Sequence, residues 1–281
     1  MKIGKYEVSY LETGTLGLDG GAMFGVIPKP LWERTNPADE KNRITLAARC
    51  LLLESESRKI LVDTGAGQSW DEKFSKIYRM EFSNTLFNSL DAKGIKPEEI
   101  TDVLLTHLHF DHVGGAVIFD ESGKPQPAFP NAKYVIQKAQ YEWGLHPSLR
   151  DKASYFPNRY VTLFEEGLLN FSEGDTQFDD EIELLETNGH TDSHQMVKIS
   201  DGNETLLYCA DLIPTAGHVP LPYIMGYDLR PLSTLDEKIK YLSKAVDENW
   251  KLIFEHDPEN IGVTVKKTDK GFVVDKRFTT L

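Results

Sequence analysis

Three histidines and an aspartate fall within six consecutive positions, directly after a short apolar run. His107, His109, Asp111 and His112 follow Val103-Leu104-Leu105, a bounded and β-prone run that predicts a buried strand. His107 and His109 are two residues apart, so in an extended segment their side chains project to the same side. Two glycines follow shortly after and permit a tight turn or a close backbone approach. Scattered core or surface histidines rarely collect so densely, so this loop predicts a metal site at a strand end.

Three further ligand-type residues each follow a strand-like segment elsewhere in the chain. His190 comes after Ile182-Glu183-Leu184-Leu185-Glu186 and the turn that follows it. Asp211 comes just after Leu206-Leu207-Tyr208-Cys209, and His256 follows Leu252-Ile253-Phe254. A sheet can bring side chains at its strand ends together from distant parts of the sequence. We therefore expect these residues to meet the first loop.

The order HxHxDH, then His, Asp and His resembles the metallo-β-lactamase superfamily, and the resemblance covers most of the chain. It implies an α/β fold, the αββα sandwich, with two mixed sheets flanked by helices in a single domain over residues 1–281. It also implies that seven residues hold two divalent metal ions. One ion would be bound by His107, His109 and His190, and the second by Asp111, His112 and His256, with Asp211 bridging both.

Such ligands suit zinc, manganese, iron or cobalt, and we expect zinc. Two adjacent ions share and acidify a water, which provides hydroxide at neutral pH. The resemblance therefore implies a metallo-hydrolase with Asp111 and Asp211 as catalytic carboxylates, Asp111 also serving as a proton carrier. Asp63, in an Asp-Thr-Gly turn, matches a carboxylate that supports the metal loop through hydrogen bonds instead of binding metal. His194 is a lesser candidate, since a backbone hydrogen bond would explain it equally well.

Two segments bear on the substrate: Gly20 to Trp32 and Asp211 to Asp228. Glycines and prolines between Leu18 and Trp32 predict a shaped loop with a strand fragment. Both segments resemble the branch that contains quorum-quenching lactonases and organophosphate hydrolases. The resemblance implies hydrolysis of N-acyl homoserine lactones, with Met23 and Phe24 against the acyl tail. In the second segment, His218 and Tyr223 are candidates for hydrogen bonds to substrate, with loop packing as the alternative.

Other functions remain open at this point. Well-known lactonases carry a tyrosine three positions after the bridging aspartate, where this chain has Pro214. A phosphotriester or aryl-ester hydrolase and a glyoxalase II-like thioesterase are the alternative enzymes. A metal-binding protein without catalysis is the alternative from another class.

Composition and charge indicate which kinds of partner and which cellular compartment the chain favours. The formal net charge of −13 disfavours binding to nucleic acid. No stretch is apolar for long enough to span a membrane, and the N-terminus lacks the apolar core of a signal peptide. Cys50 and Cys209 are the only cysteines, and we expect reduced core residues, with a single bridge as the lesser option. These features predict a cytoplasmic enzyme, and exposed apolar residues of the Gly20 to Trp32 loop could also support a homodimer.

The remaining segments are predicted to form the structural scaffold around the site. Residues 71–93 carry apolar side chains at helical spacing, which we interpret as core or pocket lining. Residues 235–249 predict an amphipathic helix, and residues 262–278 predict a closing hairpin. The aromatic segment 146–162 is interpreted as a packed surface loop, with a cap over the pocket as the alternative.

Overall fold

The computed structural model describes residues 1–281, with sixteen strands and eight α-helices. The strands are, in chain order, β1 (Lys2–Ile3), β2 (Tyr6–Asp19), β3 (Arg43–Glu54), β4 (Lys59–Val62), β5 (Asp102–Leu104), β6 (Val117–Phe119), β7 (Pro125–Pro127), β8 (Lys133–Gln137), β9 (Leu169–Ser172), β10 (Thr176–Gln177), β11 (Ile182–Thr187), β12 (His194–Ser200), β13 (Thr205–Tyr208), β14 (Lys251–Ile253), β15 (Gly262–Thr268) and β16 (Gly271–Phe278). The helices are α1 (Gly20–Phe24), α2 (Lys29–Trp32), α3 (Glu72–Ile77), α4 (Leu86–Asp91), α5 (Phe110–Val113), α6 (Lys138–Leu145), α7 (Val161–Glu165) and α8 (Pro231–Asp247).

Two seven-stranded mixed sheets contain most of the strands. The first has the order β1-β2-β3-β4-β5-β8-β9 and the second β10-β11-β12-β13-β14-β15-β16, while β6 and β7 form a separate ribbon. In the first sheet β4, β5, β8 and β9 are parallel neighbours. In the second sheet only β13 and β14 pair in parallel.

Alternating residues of the strands fill three apolar layers. Leu51 and Leu53 of β3 pack with Tyr208 of β13 in a core between the sheets. Leu52 of β3 points the other way, into a core with residues of α4, α6 and α7, and a third core joins the second sheet to α8. Strands buried on both faces read as continuous apolar runs, as β3 does. The predicted αββα sandwich is thus confirmed.

Several connections differ from the sequence prediction. The segment Leu18 to Trp32, predicted to be a loop with a strand fragment, contains the end of β2 at Leu18 and Asp19, and the remainder forms the two short helices α1 and α2 instead of a loop. Asp19 caps α1 through a hydrogen bond from the Ala22 amide, and Pro30 lies in the first turn of α2, where its missing amide hydrogen costs nothing. The apolar stripe over residues 71–93 is divided into α3 and α4, each with its own N-cap.

The remaining features concern the last helix and hairpin, the cysteines, and the possible contacts of the chain with a membrane or a second copy. The amphipathic helix α8 and the hairpin of β15 and β16 lie where the sequence predicts them. Cys50 and Cys209 are free and buried. No helix is both long and apolar enough to cross a bilayer. Met23, Phe24 and Trp32, expected to be exposed for a dimer contact, are buried within the chain, so they offer no free surface.

Candidate metal centre

The loop that carries the HxHxDH motif begins just after β5 and packs against the loop after β4. A Cβ atom on Gly114 or Gly115 would collide with the carbonyl oxygen of Ala66 or Thr64, respectively. The two glycines therefore permit the close approach that the sequence indicates. This contact fixes the motif loop against the edge of the first sheet.

Asp63 contacts the motif loop through its carboxylate. Its carboxylate accepts hydrogen bonds from the Thr106 amide at 2.8 Å and the Thr106 hydroxyl at 2.7 Å. Oδ2, the oxygen that accepts from the hydroxyl, also lies 3.1 Å from Nδ1 of His112. Asp63 is fully buried and has a φ of 57°, a left-handed conformation that aspartate and asparagine tolerate better than most residues. Asp63 thus contacts both the backbone of the motif loop and a candidate ligand, and its supporting role stays a prediction.

The structure brings His107, His109, His190 and Asp211 together in one buried group, with one ligand atom of each within 4.8 Å of the others. Nε2 of His190 lies 3.1 Å from Nδ1 of His109 and 3.1 Å from Oδ2 of Asp211. Nε2 of His107 is 3.9 Å from the same carboxylate oxygen. The distances suit three imidazoles and one carboxylate oxygen around a single cation.

Asp111, His112 and His256 form a second buried group beside the first. Nε2 of His256 lies 3.2 Å from Nε2 of His112 and 3.8 Å from Oδ2 of Asp111. The other oxygen of Asp211, Oδ1, lies 3.3 Å from His256 and 3.6 Å from His112. Asp211 therefore directs one oxygen to each group, which is the arrangement a bridging ligand needs.

Polar atoms without partners test whether the site suits cations. Nε2 of His107 and Oδ1 of Asp211 face the two groups and are buried without a hydrogen bond, although a buried polar atom normally has one. Burial, together with the neighbouring histidines, lowers the pKa of His107 and His109 well below its ordinary value, so both rings are neutral and carry a free lone pair. The donors present therefore fit two divalent ions.

The surrounding charges keep Asp211 ionised. Burial raises the pKa of its carboxyl, but the facing histidines outweigh that effect and the pKa lies well below its usual range. Burial favours a neutral His190, yet Asp211 and Asp228 raise its pKa to about 10. Carboxylates that attract a proton to this ring so strongly would attract a divalent cation for the same reason.

Three ligand histidines are oriented by partners on the far side of the ring. Nδ1 of His190 lies 2.9 Å from Asp228, and Nδ1 of His256 lies 2.8 Å from the carbonyl oxygen of Ala47. Nδ1 of His112 lies 2.8 Å from Glu255, as well as contacting Asp63. Such contacts fix the tautomer and the ring direction of metal-binding histidines. Sequence reasoning missed Asp228 and Glu255, although Glu255 directly precedes His256.

His194 has a different position from the ligands. Its Nδ1 lies 2.7 Å from the Thr187 hydroxyl, and its Nε2 accepts a hydrogen bond from the Asp211 amide at 3.2 Å. Both nitrogens are thus in use, and His194 supports the backbone of Asp211. The preceding residue, Ala210, has a φ of 42°, a strained conformation for alanine of the kind found at functional sites.

A cavity of about 270 Å³ opens above the two groups. Its walls combine ligand residues with apolar, aromatic and polar side chains, namely Leu18, Met23, Tyr78, His109, Phe110, Asp111, Arg150, Asp151, Ser154, His190, Asp211, Met225, Gly226, Tyr227 and His256. Arg150, Asp151 and Ser154 belong to the segment interpreted as a surface loop, so that segment contributes a wall of the cavity. Tyr227 was not singled out by sequence, and only its place in the segment after Asp211 pointed to it.

Of the four residues predicted to contact substrate, only Met23 lines this cavity. Phe24 is fully buried and stacks between Trp32 and His218, with ring centroids 5.3 Å and 4.3 Å away. Nδ1 of His218 is paired with the Thr215 hydroxyl and Nε2 with the Met23 carbonyl oxygen. Tyr223 packs edge-on against Phe24. We therefore correct the roles of Phe24, His218 and Tyr223 to packing behind the cavity wall.

Comparison with known proteins decides the family. The family model of the metallo-beta-lactamase superfamily matches residues 44–256, more than half of the chain. The chain belongs to this superfamily. The chain is a superfamily metallo-hydrolase, and its buried cluster of histidines and aspartates fits a dinuclear divalent metal site.

Relatives within the superfamily include lactonases. An N-acyl homoserine lactonase from a Bacillus species is 32% identical over 166 residues, which cover 56% of this chain and 59% of that relative. The match thus spans less than two thirds of that relative's length. A probable metal-dependent hydrolase from Staphylococcus aureus has a TM-score of 0.90 at 28% identity and covers 99% of this chain and 98% of its own. The dizinc quorum-quenching lactonase AidC has a TM-score of 0.81 at 23% identity, covering 98% and 95%, and this likeness shows the fold alone.

Proposed function

We propose that this superfamily member hydrolyses N-acyl homoserine lactones. The observation that carries the proposal is the position of Asp211 between two complete ligand groups at the base of a cavity. The upper walls of that cavity include Leu18, Met23, Phe110 and Met225, which suit an acyl chain. Relatives named as N-acyl homoserine lactonases support the substrate class.

Ring opening adds water across the ester bond, so the carbonyl carbon gains a hydroxyl oxygen and the ring oxygen leaves with a proton. Two divalent ions bound by the seven ligands would supply a Lewis acid for the substrate oxygen and lower the pKa of water. Asp211 keeps the two ligand groups at a fixed separation, because each of its oxygens faces one group. Asp111 lines the cavity, and we propose that its carboxylate carries the proton to the leaving oxygen.

We propose zinc as the physiological metal and the cytoplasm as the compartment. Zinc binds both imidazole and carboxylate ligands, and its filled d shell imposes no geometry of its own, which suits the mixed donor set. Free buried thiols at Cys50 and Cys209 agree with a reducing compartment.

The test is ring opening of a long-chain N-acyl homoserine lactone by zinc-loaded protein, compared with a phosphotriester and a glutathione thioester. We expect the lactone to have the highest kcat/KM of the three. His109→Ala should abolish turnover, because it removes a ligand of the first group. His146→Ala is the matched control, since His146 is an exposed histidine outside the site and should leave the rate unchanged.

A higher kcat/KM for the phosphotriester or the thioester would overturn the lactonase assignment while keeping a hydrolase. Metal bound in full with no turnover of any of the three would favour a binding protein without catalysis.

A further inference from the structure

Helix α8 carries a lysine whose side chain is completely buried. Lys238 has no exposed surface, although lysine is almost never fully buried without a paired charge. Its Nζ donates hydrogen bonds to the carbonyl oxygens of Pro220 at 2.9 Å, Leu221 at 3.4 Å and Tyr223 at 2.8 Å. All three acceptors belong to one short stretch of loop. A single ammonium group thus satisfies three backbone carbonyls of that stretch.

The charge on Lys238 has no close counterion. Burial lowers its pKa to about 7, and Asp228 is the carboxylate that opposes this effect. Carbonyl oxygens only accept hydrogen bonds, and a neutral amine offers two N–H donors where an ammonium group offers three, so the convergence of three carbonyls on Nζ favours the protonated side chain. A buried lysine is costly for the fold, and its position indicates that the loop it holds needs a defined conformation.

The loop held by Lys238 continues directly into the substrate cavity. We define residues 220–227 as the strap. Met225, Gly226 and Tyr227, at its C-terminal end, line the cavity above the metal centre. Two other hydrogen bonds attach the strap to the rest of the chain: the Gly226 amide donates to the Ala22 carbonyl oxygen at 2.7 Å, and the Arg150 guanidinium donates to the Gly226 carbonyl oxygen. Both hydrogen bonds lie at the C-terminal end, so at the N-terminal end, where Tyr223 also packs against Phe24, the hydrogen bonds to the rest of the chain come from Lys238.

We propose that Lys238 is a positioning residue that holds the strap in place and thereby sets the wall against which substrate binds. The inference rests on the proposed function, in that it takes this cavity as the substrate site. Lys238 is absent from the cavity lining and acts through Met225 and Tyr227. Its loss should therefore weaken substrate binding and leave the chemical step intact.

The variant Lys238→Met removes the charge and the donors but keeps a long unbranched side chain. Three carbonyls then lack their partner, and we expect amide hydrogen exchange over residues 220–228 of the metal-loaded protein to accelerate roughly tenfold. KM for the ester that the enzyme turns over best should rise roughly tenfold, with kcat changed less than about twofold. Lys244→Met is the matched control, because Lys244 lies exposed on the same helix and should change neither quantity.

Lys238→Gln provides a second variant in case the methionine variant does not fold. Its amide keeps N–H donors on a shorter side chain, so exchange of the strap should increase less than in Lys238→Met. Unchanged exchange in the strap, or an increase spread equally over the whole protein, would overturn the proposal. A fall in kcat with KM constant would overturn it as well. Exchange is measured without substrate, so this test decides the role of Lys238 even if the lactone proves not to be the substrate.

Discussion

Asp211→Asn will reduce kcat/KM for the best substrate by about 10³-fold, the largest catalytic effect that we expect from any conservative substitution in this chain. The carboxylate directs Oδ2 to His190 and Oδ1 to His256, at 3.1 Å and 3.3 Å. An asparagine keeps the shape but loses the negative charge, and its NH2 group presents a donor where a lone pair is needed. One of the two metal groups therefore loses its shared ligand.

The rate loss should come with weaker binding of the metal, measured by competition with a chromogenic chelator. Asp269→Asn, in the exposed turn between β15 and β16, removes the same charge far from the site and should match the wild type. An Asp211→Asn variant with full activity would show that Asp211 does not bridge the ions.

Asp63→Asn will have the second largest effect among conservative substitutions, although we do not assign Asp63 as a metal ligand. Its carboxylate accepts two hydrogen bonds from Thr106 and contacts His112. Asparagine tolerates the left-handed backbone at this position. The effect therefore comes from loss of the carboxylate and not from backbone strain. Loss of the charge should weaken metal affinity about 10- to 100-fold. It should also lower the free energy of unfolding by about 2 kcal/mol, because a buried hydrogen-bond network is broken.

Both quantities are accessible: metal affinity by chelator competition, and stability by denaturant unfolding of the metal-free protein. Asp180→Asn is a suitable control, since Asp180 is exposed and lies outside the network. Wild-type metal affinity in Asp63→Asn would contradict the supporting role, and Glu255 would then be the carboxylate that orients His112.

The sequence predicts which side chains cluster at the candidate site because the determinants of this cluster are local. His107, His109, Asp111 and His112 lie within one loop, and their spacing alone indicates a shared site. His190, Asp211 and His256 each follow a strand, so the geometry of a sheet brings them to the same edge. The alternation of apolar and polar residues, together with continuous apolar runs, similarly predicts the strands of both sheets.

The cavity is harder to predict because burial decides which side chains reach it. Met23 and Phe24 are adjacent and equally apolar, yet Met23 lines the cavity while Phe24 stacks against His218 behind it. Which of two neighbours faces a pocket depends on the turn of α1, and its glycine-rich composition predicts a loop instead. Glu255 and Lys238 act through contacts with distant segments, for which the sequence carries no local signal.

The most direct test of the central claim is the number of metal ions bound per chain. Protein loaded with zinc and then desalted should contain two equivalents by inductively coupled plasma mass spectrometry. His109→Ala should lose about one equivalent, because three of the four ligands of one group remain and the other group is intact, while His146→Ala should retain both. A single ion in the wild-type protein, or two ions retained by His109→Ala, would contradict a dinuclear centre built from these residues.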